Sequence, residues 1–529
     1  MNAPQLASAT PTTNGCPVSA TSSAVEPNRD SAGQPGPLPP NPTVRQVREA
    51  SSAQGRWASL KTDPLWLTRS PLPLLSASMR GLGAPTLSPP GPRGLPLVGC
   101  TRAMRREPFE FFRRCTAEYG DIYRVPVPAG NLVVVNHPDY ASHVMDDATG
   151  RYSMIGPFGI VPSLVGAAIP MLEGGKFRQR RRMLMPMFGR RHLARVADVI
   201  ADEFVTRIDR WSAWAGTGQV VDLQHEIAQV TLPAFLRAMF SSSITEQEIR
   251  NTDVDLRTFM SLMAAPTLMS PRPKLLPWPG RTTAIKSMRR LWMLTRRLIR
   301  DRRTHPLDTP DLLSLLLDAR YDDGSPLSER DLSMELMILM AGGYETVVAS
   351  LSWTLALLLA HPQHLEKLYA EVDALDGAMP TPDDQPRLAF ARACFDEGQR
   401  LQGHPLNPRF AMDDDVIGGY LIPRYSIVGP SLYSIHRDPR WWPDPEMYDP
   451  TRFTDESAVR ARPRLAFMPF GSGPHHCIGT GMAYMNAQFL LALIFQRYRL
   501  SLLPGWTPEH HFNFSVTLKG GLPITLARV

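Results

Sequence analysis

The chain has little cysteine, and what it has follows no pattern. Cys16, Cys100, Cys115, Cys394 and Cys477 are odd in number and irregularly spaced, which excludes a disulfide framework and fits a reducing, cytoplasmic compartment. No Cys-x-x-Cys arm is present, so a structural zinc site is not indicated. Uninterrupted apolar runs fall short of the roughly 18 residues that a membrane span needs. The opening Met1-Asn2-Ala3-Pro4-Gln5 has neither a basic nor an apolar stretch, so no signal peptide is expected. Charge of one sign is not in large excess: 57 Lys and Arg against 50 Asp and Glu leave +7. No recognised nucleic-acid motif accompanies the basic residues, and no nucleic-acid partner is expected. With 43% hydrophobic residues in 529, the chain has ample material for a large core, and its length suggests more than one domain.

Proline, by contrast, is abundant at 52 residues, and its distribution divides the chain. Residues 1–88 are rich in Pro, Ser, Thr and Ala with little apolar periodicity, which reads as a linker-like extension. Within it Leu65, Trp66, Leu67, Leu74 and Leu75 offer a contact for a membrane surface, although Pro71 and Pro73 oppose a helix there. Pro89-Pro90-Gly91-Pro92-Arg93-Gly94-Leu95-Pro96 marks the start of a folded domain over 89–529. A strand is expected over 131–135 and a helix over 138–147. Residues 152–170 are apolar (Ile155, Phe158, Ile160, Val161, Leu164, Val165, Ile169), as suits either a cavity wall or ordinary core. Helical pattern from Val199 to Arg302 is interrupted at Pro266, Pro271 and Pro277, where Met260, Leu262, Met263, Leu268 and Met269 suit an adaptable access region.

A long helix follows, started by Ser328 and Asp331 and apolar on nearly every side from Leu332 to Leu359. Such a helix runs through the middle of a large domain. In its centre stands Gly342-Gly343-Tyr344-Glu345-Thr346. Each mid-helix glycine costs about 1 kcal/mol relative to alanine, and a Glu-Thr pair in apolar surroundings costs more. Either something approaches the backbone and uses the polar groups, or the glycines mark a helix crossing and Thr346 bonds its own i−4 carbonyl.

The most informative stretch is Phe470-Gly471-Ser472-Gly473-Pro474-His475-His476-Cys477-Ile478-Gly479, before a proline-free apolar helix over 480–498. A sulfur at a helix N-terminus, among glycines, is placed to become a thiolate. Adjacent His475-His476-Cys477 cannot converge on one zinc tetrahedron, and no base and orienter stand at recognisable spacing for a nucleophile. What remains is a lone axial thiolate to haem iron.

This loop resembles the haem-binding signature of the cytochrome P450 family, with His475 where the family has Arg or His. The resemblance covers most of the chain. Gly342-Gly343-x-Glu345-Thr346 is similar to the family's acid–alcohol pair beside the oxygen-binding face, which makes Glu345 and Thr346 the expected catalytic residues. Glu397-Gly398-Gln399-Arg400 and Pro450-Thr451-Arg452-Phe453 resemble its structural Glu-Arg-Arg network. The resemblance further implies that Cys477 ligates the iron of haem b, with Phe470, Gly471, His475, Gly479, Gly342 and Gly343 around the cofactor. It puts Arg181 and Arg409 on the propionates, with Phe177 a departure where the family has Trp or His, and it brings the turn at Phe514–Thr517 to the pocket. The implied fold is mainly α with a small β region, haem lying between the central helix and the Cys477 helix. O2 is then the co-substrate, and electrons come ultimately from NAD(P)H through a separate ferredoxin and its reductase or a flavoprotein. The substrate is an apolar small molecule (terpenoid, fatty acyl, polyketide or similar), and the protein a monomer without a transmembrane span. The same scaffold also serves as a peroxygenase, an isomerase or a non-catalytic haem binder. Finally, Lys176 to Arg191 holds seven basic residues and no acidic one. Arg178, Arg180 and Arg182 are the expected surface patch for an acidic donor, if the run is more than a solvated face.

Overall fold

A computed structural model describes residues 88–95, 98–128, 130–154, 167–264, 281–512 and 514–529, all within one of the chain's two compact units, Pro39–Val529. The expectations for the extension before residue 88, for Ile155 to Val165 and for Pro266, Leu268, Met269, Pro271 and Pro277 lie outside the described residues, as do the side chains of Leu262 and Met263.

The domain is mainly helical with small sheets, as expected. The helices that enclose its interior are, in chain order, α1 (Pro138–Met145), α2 (Gly174–Leu184), α3 (Arg190–Ile208), α4 (Leu223–Phe240), α5 (Glu246–Ala264), α6 (Arg281–Thr304), α7 (Glu329–Leu359), α8 (Ala389–Gln402) and α9 (Thr480–Arg497). The start of α7 follows from its sequence: the Ser328 side chain accepts the Asp331 N–H at 3.1 Å, satisfying one orphan donor of the first turn. Of the described helices, α7 alone is long and apolar enough to cross a membrane, and 67% of that window is buried inside the protein. It is a core helix. Against it pack α4, α8 and α9. Phe489, Leu490, Leu491, Leu493, Ile494 and Phe495 of α9 are all fully buried, each a contribution of about 1.5–3 kcal/mol.

Two glycines set the helix crossings. A Cβ on Gly343 would lie 2.4 Å from the Phe235 ring of α4, and one on Gly398 would lie 2.4 Å from Thr354 Oγ1 of α7. Neither position admits alanine without displacing its neighbour.

The principal sheet has five strands in the order Ile122–Val127, Gly130–Val135, Ile427–Pro430, Arg409–Ala411, Tyr152–Ser153. The second and third run parallel, with Val133 beside Val428, and Arg409 pairs with Val428, which fixes where the Arg409 side chain starts. The proline-rich segment is tied to this sheet, since Arg124 donates to the carbonyls of Pro89 and Pro90. A hairpin of His510–Phe512 and Val516–Leu518 reaches α7: the Val516 carbonyl accepts from Trp353 Nε1 at 3.1 Å and from Gln402 Nε2 at 2.8 Å.

Candidate active site

The Cys477 loop is shaped by glycine and tied down on both sides. Gly471 and Gly473 have φ of +71° and +67°, where a side chain is strained, and a Cβ on Gly473 would lie 2.1 Å from the Met145 carbonyl oxygen of α1. Asp146 accepts from Ser472 and Arg464, anchoring the loop to the end of α1. Within the loop the Cys477 N–H donates to the Phe470 carbonyl at 3.0 Å, and Thr480 Oγ1 donates to the Cys477 carbonyl at 2.9 Å.

Cys100, Cys115 and Cys394 are buried, whereas Cys477 is exposed. Yet burial is also the largest influence on its thiol and pushes the pKa up, against the Gly479 N–H, the Thr480 hydroxyl and the Arg181 charge, which pull it down. A sulfur at a helix N-terminus is expected to ionise readily, but here burial outweighs the local donors and raises its pKa.

The middle of α7 is the other wall. Gly342 is exposed, and a Cβ there would meet nothing within 4 Å, in contrast to Gly343, which Phe235 fills. The two glycines thus separate: Gly343 serves the helix crossing and Gly342 borders open space. Thr346 Oγ1 donates to the Gly342 carbonyl at 2.6 Å. Both features of the plain helix-crossing reading are therefore present, beside an opening that this reading does not require. Burial pushes the Glu345 carboxyl up, opposed by the Ser515 N–H and by Arg257. The Ser515 N–H lies 3.5 Å from Glu345 Oε1, so the expected turn does meet the acid. On the far side of the helix the Tyr344 hydroxyl donates to Asp253 of α5, which also pairs with Arg257 at 2.8 Å.

The cations sort sharply. Arg409 is 3% exposed and donates through Nη1 to two neutral acceptors, Asn407 Oδ1 at 2.8 Å and the Pro408 carbonyl at 2.9 Å. Burial lowers its pKa to about 10, with only the more distant Glu173 opposing. Arg181 is half-buried and lowered by burial, with Cys477 the one group opposing. Neither has a carboxylate within ion-pair distance among the described residues. His475 Nε2 lies 3.2 Å from Glu173 Oε2, and its ring sits against Phe177, centroids 4.0 Å apart. Phe177, the departure from the family pattern, is buried packing for that histidine. Glu173 also accepts from Ser153 Oγ at 3.0 Å and the Met154 N–H at 2.7 Å. The sequence held no signal for Glu173, because its partner is 302 residues away.

One expectation is corrected here. Arg180 is not a surface residue: it is 1% exposed and its Nη1 donates to Glu335 at 2.6 Å and to the Ala167 carbonyl at 2.9 Å. Its Nη2 donates to the Tyr321 hydroxyl at 2.6 Å. Successive helix residues turn by about 100°, so Arg180 faces α7 while Arg178 and Arg182 are exposed, Arg182 on Asp322 at 3.0 Å.

The expected Glu-Arg-Arg group is assembled. Glu397 and Arg400 are both fully buried and joined by two bonds of 2.7 and 2.8 Å, with Arg452 3.5 Å from Glu397. Arg400 also donates to the carbonyls of His436, Pro445 and Met447.

With this geometry in view, the family model described as Cytochrome P450 matches residues 89–526. Among curated proteins the chain is similar to cyclooctat-9-en-7-ol 5-monooxygenase of Streptomyces melanosporofaciens, 29% identical over 79% of this chain and 90% of the relative. It is also similar to pentalenene oxygenase of Streptomyces avermitilis, 26% identical over 78% and 91% of the two chains. Among solved structures, the cytochrome P450DA heme domain superposes with a TM-score of 0.73 at 23% identity, over 84% of this chain and 98% of that one.

Proposed function

The chain belongs to the cytochrome P450 family and is a monooxygenase of it; from that premise we propose that it oxygenates an apolar, terpenoid-like molecule with electrons from a separate donor protein. The relatives' names, an alkenol 5-monooxygenase and pentalenene oxygenase, favour that end of the substrate range. We assign the catalytic unit to 89–529 and read 1–88 as an extension preceding it, in a cytoplasmic monomer.

One observation carries the assignment of the site: beside an exposed thiol at Cys477, the domain buries Arg409 with no carboxylate within ion-pair distance among the described residues. A buried guanidinium with neutral acceptors alone is costly, and a flat iron-bearing group with carboxylate arms answers both needs. Haem b would be that group, held at its iron by the Cys477 sulfur, with Arg409, Arg181 and His475 placed to meet its carboxylates. Phe470, Gly471 and Gly479 of the Cys477 loop and Gly342 of α7 would border it, while Gly343, packed on Phe235, sets the helix crossing beside Gly342. When bound, it supplies iron that takes up O2 and, with a thiolate behind it, favours O–O cleavage.

The chain's own part is to hold protons and exclude water. Glu345, raised by burial, retains a proton at higher pH than an ordinary carboxyl, which suits a relay from solvent. Thr346 keeps its Oγ1 beside the opening at Gly342, its hydroxyl donating to the Gly342 carbonyl and its lone pairs able to accept a hydrogen bond from a group in that opening. Glu345 and Thr346 are in this reading the catalytic pair, and the apolar walls select which carbon is held for oxygenation. A peroxygenase needs neither residue in these roles. The test is O2 uptake: NADH or NADPH with a ferredoxin and its reductase should give substrate-dependent consumption, and hydrogen peroxide alone should not replace them. Full product yield from peroxide without electron donors would overturn the assignment.

A further inference from the structure

Tyr484 lies in the second turn of α9, and its hydroxyl donates to Asp396 Oδ1 of α8 at 2.7 Å. One face of its ring lies under the Arg392 guanidinium at 4.1 Å. Its centroid is 5.2 Å from that of Phe470 and 5.9 Å from that of Phe395. Phe470 is the residue whose carbonyl accepts the Cys477 N–H. A single side chain therefore connects α8 to the loop that carries the sulfur. Asp396 is 7% exposed and precedes Glu397, so the fully buried Glu397–Arg400 pair fixes its backbone. Arg392, 3.9 Å from Asp396 and 54% exposed, is the cluster's outlet to solvent.

Packing alone does not call for this arrangement. A phenylalanine would fill the ring's place, and an apolar residue at 396 would avoid burying a carboxyl, which burial raises to about 7. What the pair adds is direction: the short bond to a fixed acceptor sets the ring plane that Phe470 rests on. We propose that Tyr484, oriented by Asp396, is a positioning residue for the thiolate, holding Phe470 and through its carbonyl the Cys477 amide.

The inference rests on Cys477 being the axial ligand. The test uses purified haem-loaded protein and reads two properties of the bound group, the ratio of thiol to thiolate bands in the ferrous–CO spectrum and the ferric/ferrous midpoint potential. Tyr484→Phe and Asp396→Leu should each raise the thiol-to-thiolate ratio by about three- to tenfold, the weight of one hydrogen bond, and shift the midpoint. Asp396→Asn keeps an acceptor for the hydroxyl and should restore both readings. Because both are taken on loaded protein, a variant that only lowers haem content or melting temperature leaves them at wild-type values, and that result would overturn the proposal. So would Asp396→Asn behaving like Asp396→Leu. Failure of the ligand assignment would look different, since wild type itself would then lack the thiolate band.

Discussion

Arg400 and Arg409 stand nine residues apart, both buried, and they belong to different kinds of region. The charge of Arg400 is answered: a two-bond carboxylate and three carbonyls close the space between α8 and the segment leading to Arg452. Around Arg409 two neutral acceptors stand where an anion would. The first region is complete as folded and supports the loop. The second is electrostatically incomplete, and incompleteness of this kind points to a ligand.

Substituting the two arginines should have opposite effects. Arg400→Ala removes both short bonds to the buried Glu397 and leaves it only the longer contact to Arg452 at 3.5 Å; breaking a buried pair typically costs about 3–5 kcal/mol, and the variant should yield little folded, haem-loaded protein. Arg409→Met should do the reverse to the haem-free chain. The folded-state pKa of Arg409 lies near 10, below the ordinary arginine value, so at neutral pH its charge opposes folding and the penalty fades only above about pH 10. Removing it should leave thermal unfolding of the haem-free protein unchanged or raised, while haem titration shows affinity lower by about tenfold or more, as for one charge-assisted bond. If Arg409→Met destabilises the haem-free chain as Arg400→Ala does, the two regions are of one kind.

A smaller effect is expected at Thr346. Its bond to the Gly342 carbonyl is a local helix feature that alanine dispenses with at little cost, so Thr346→Ala should bind haem normally. Peroxide release per O2 consumed should rise severalfold and product fall in step. Wild-type product yield would remove Thr346 from proton delivery.

The smallest effect concerns the donor and sharpens the contrast along α2. Charge reversal at Arg178 and Arg182 should slow reduction by an acidic donor several-fold at low salt and less at high salt, as steering by exposed charges does. Stopped-flow across a salt series checks this. Arg180→Glu should instead lose folded protein, because it places a second carboxylate beside Glu335. Equal reduction rates for wild type and the double reversal would return this helix to an ordinary solvated face.

What the sequence made legible was local or motif-borne. The cap at Ser328, the length of α7, the Cys477 loop and the Glu397–Arg400 spacing all lie within short windows, where helix period and turn chemistry act directly. The phase of the basic helix was not legible. Seven cations without an acid look like a surface until Glu335, 155 residues away, is seen to claim Arg180. Glu173 and Asp396 were missed for the same reason, since a carboxylate that gains meaning from a distant histidine or tyrosine leaves no trace in its neighbours. The paired glycines were legible as a cost but not as two functions, which only the position of Phe235 separates.

Ligation of haem iron by Cys477 is read from the ferrous–CO spectrum of purified protein. Wild type should show the strongly red-shifted Soret band of a thiolate, Cys477→Ala should lose it, and Cys477→His should place the band at the position of histidine-ligated haem. A wild-type CO spectrum from Cys477→Ala would contradict that ligation.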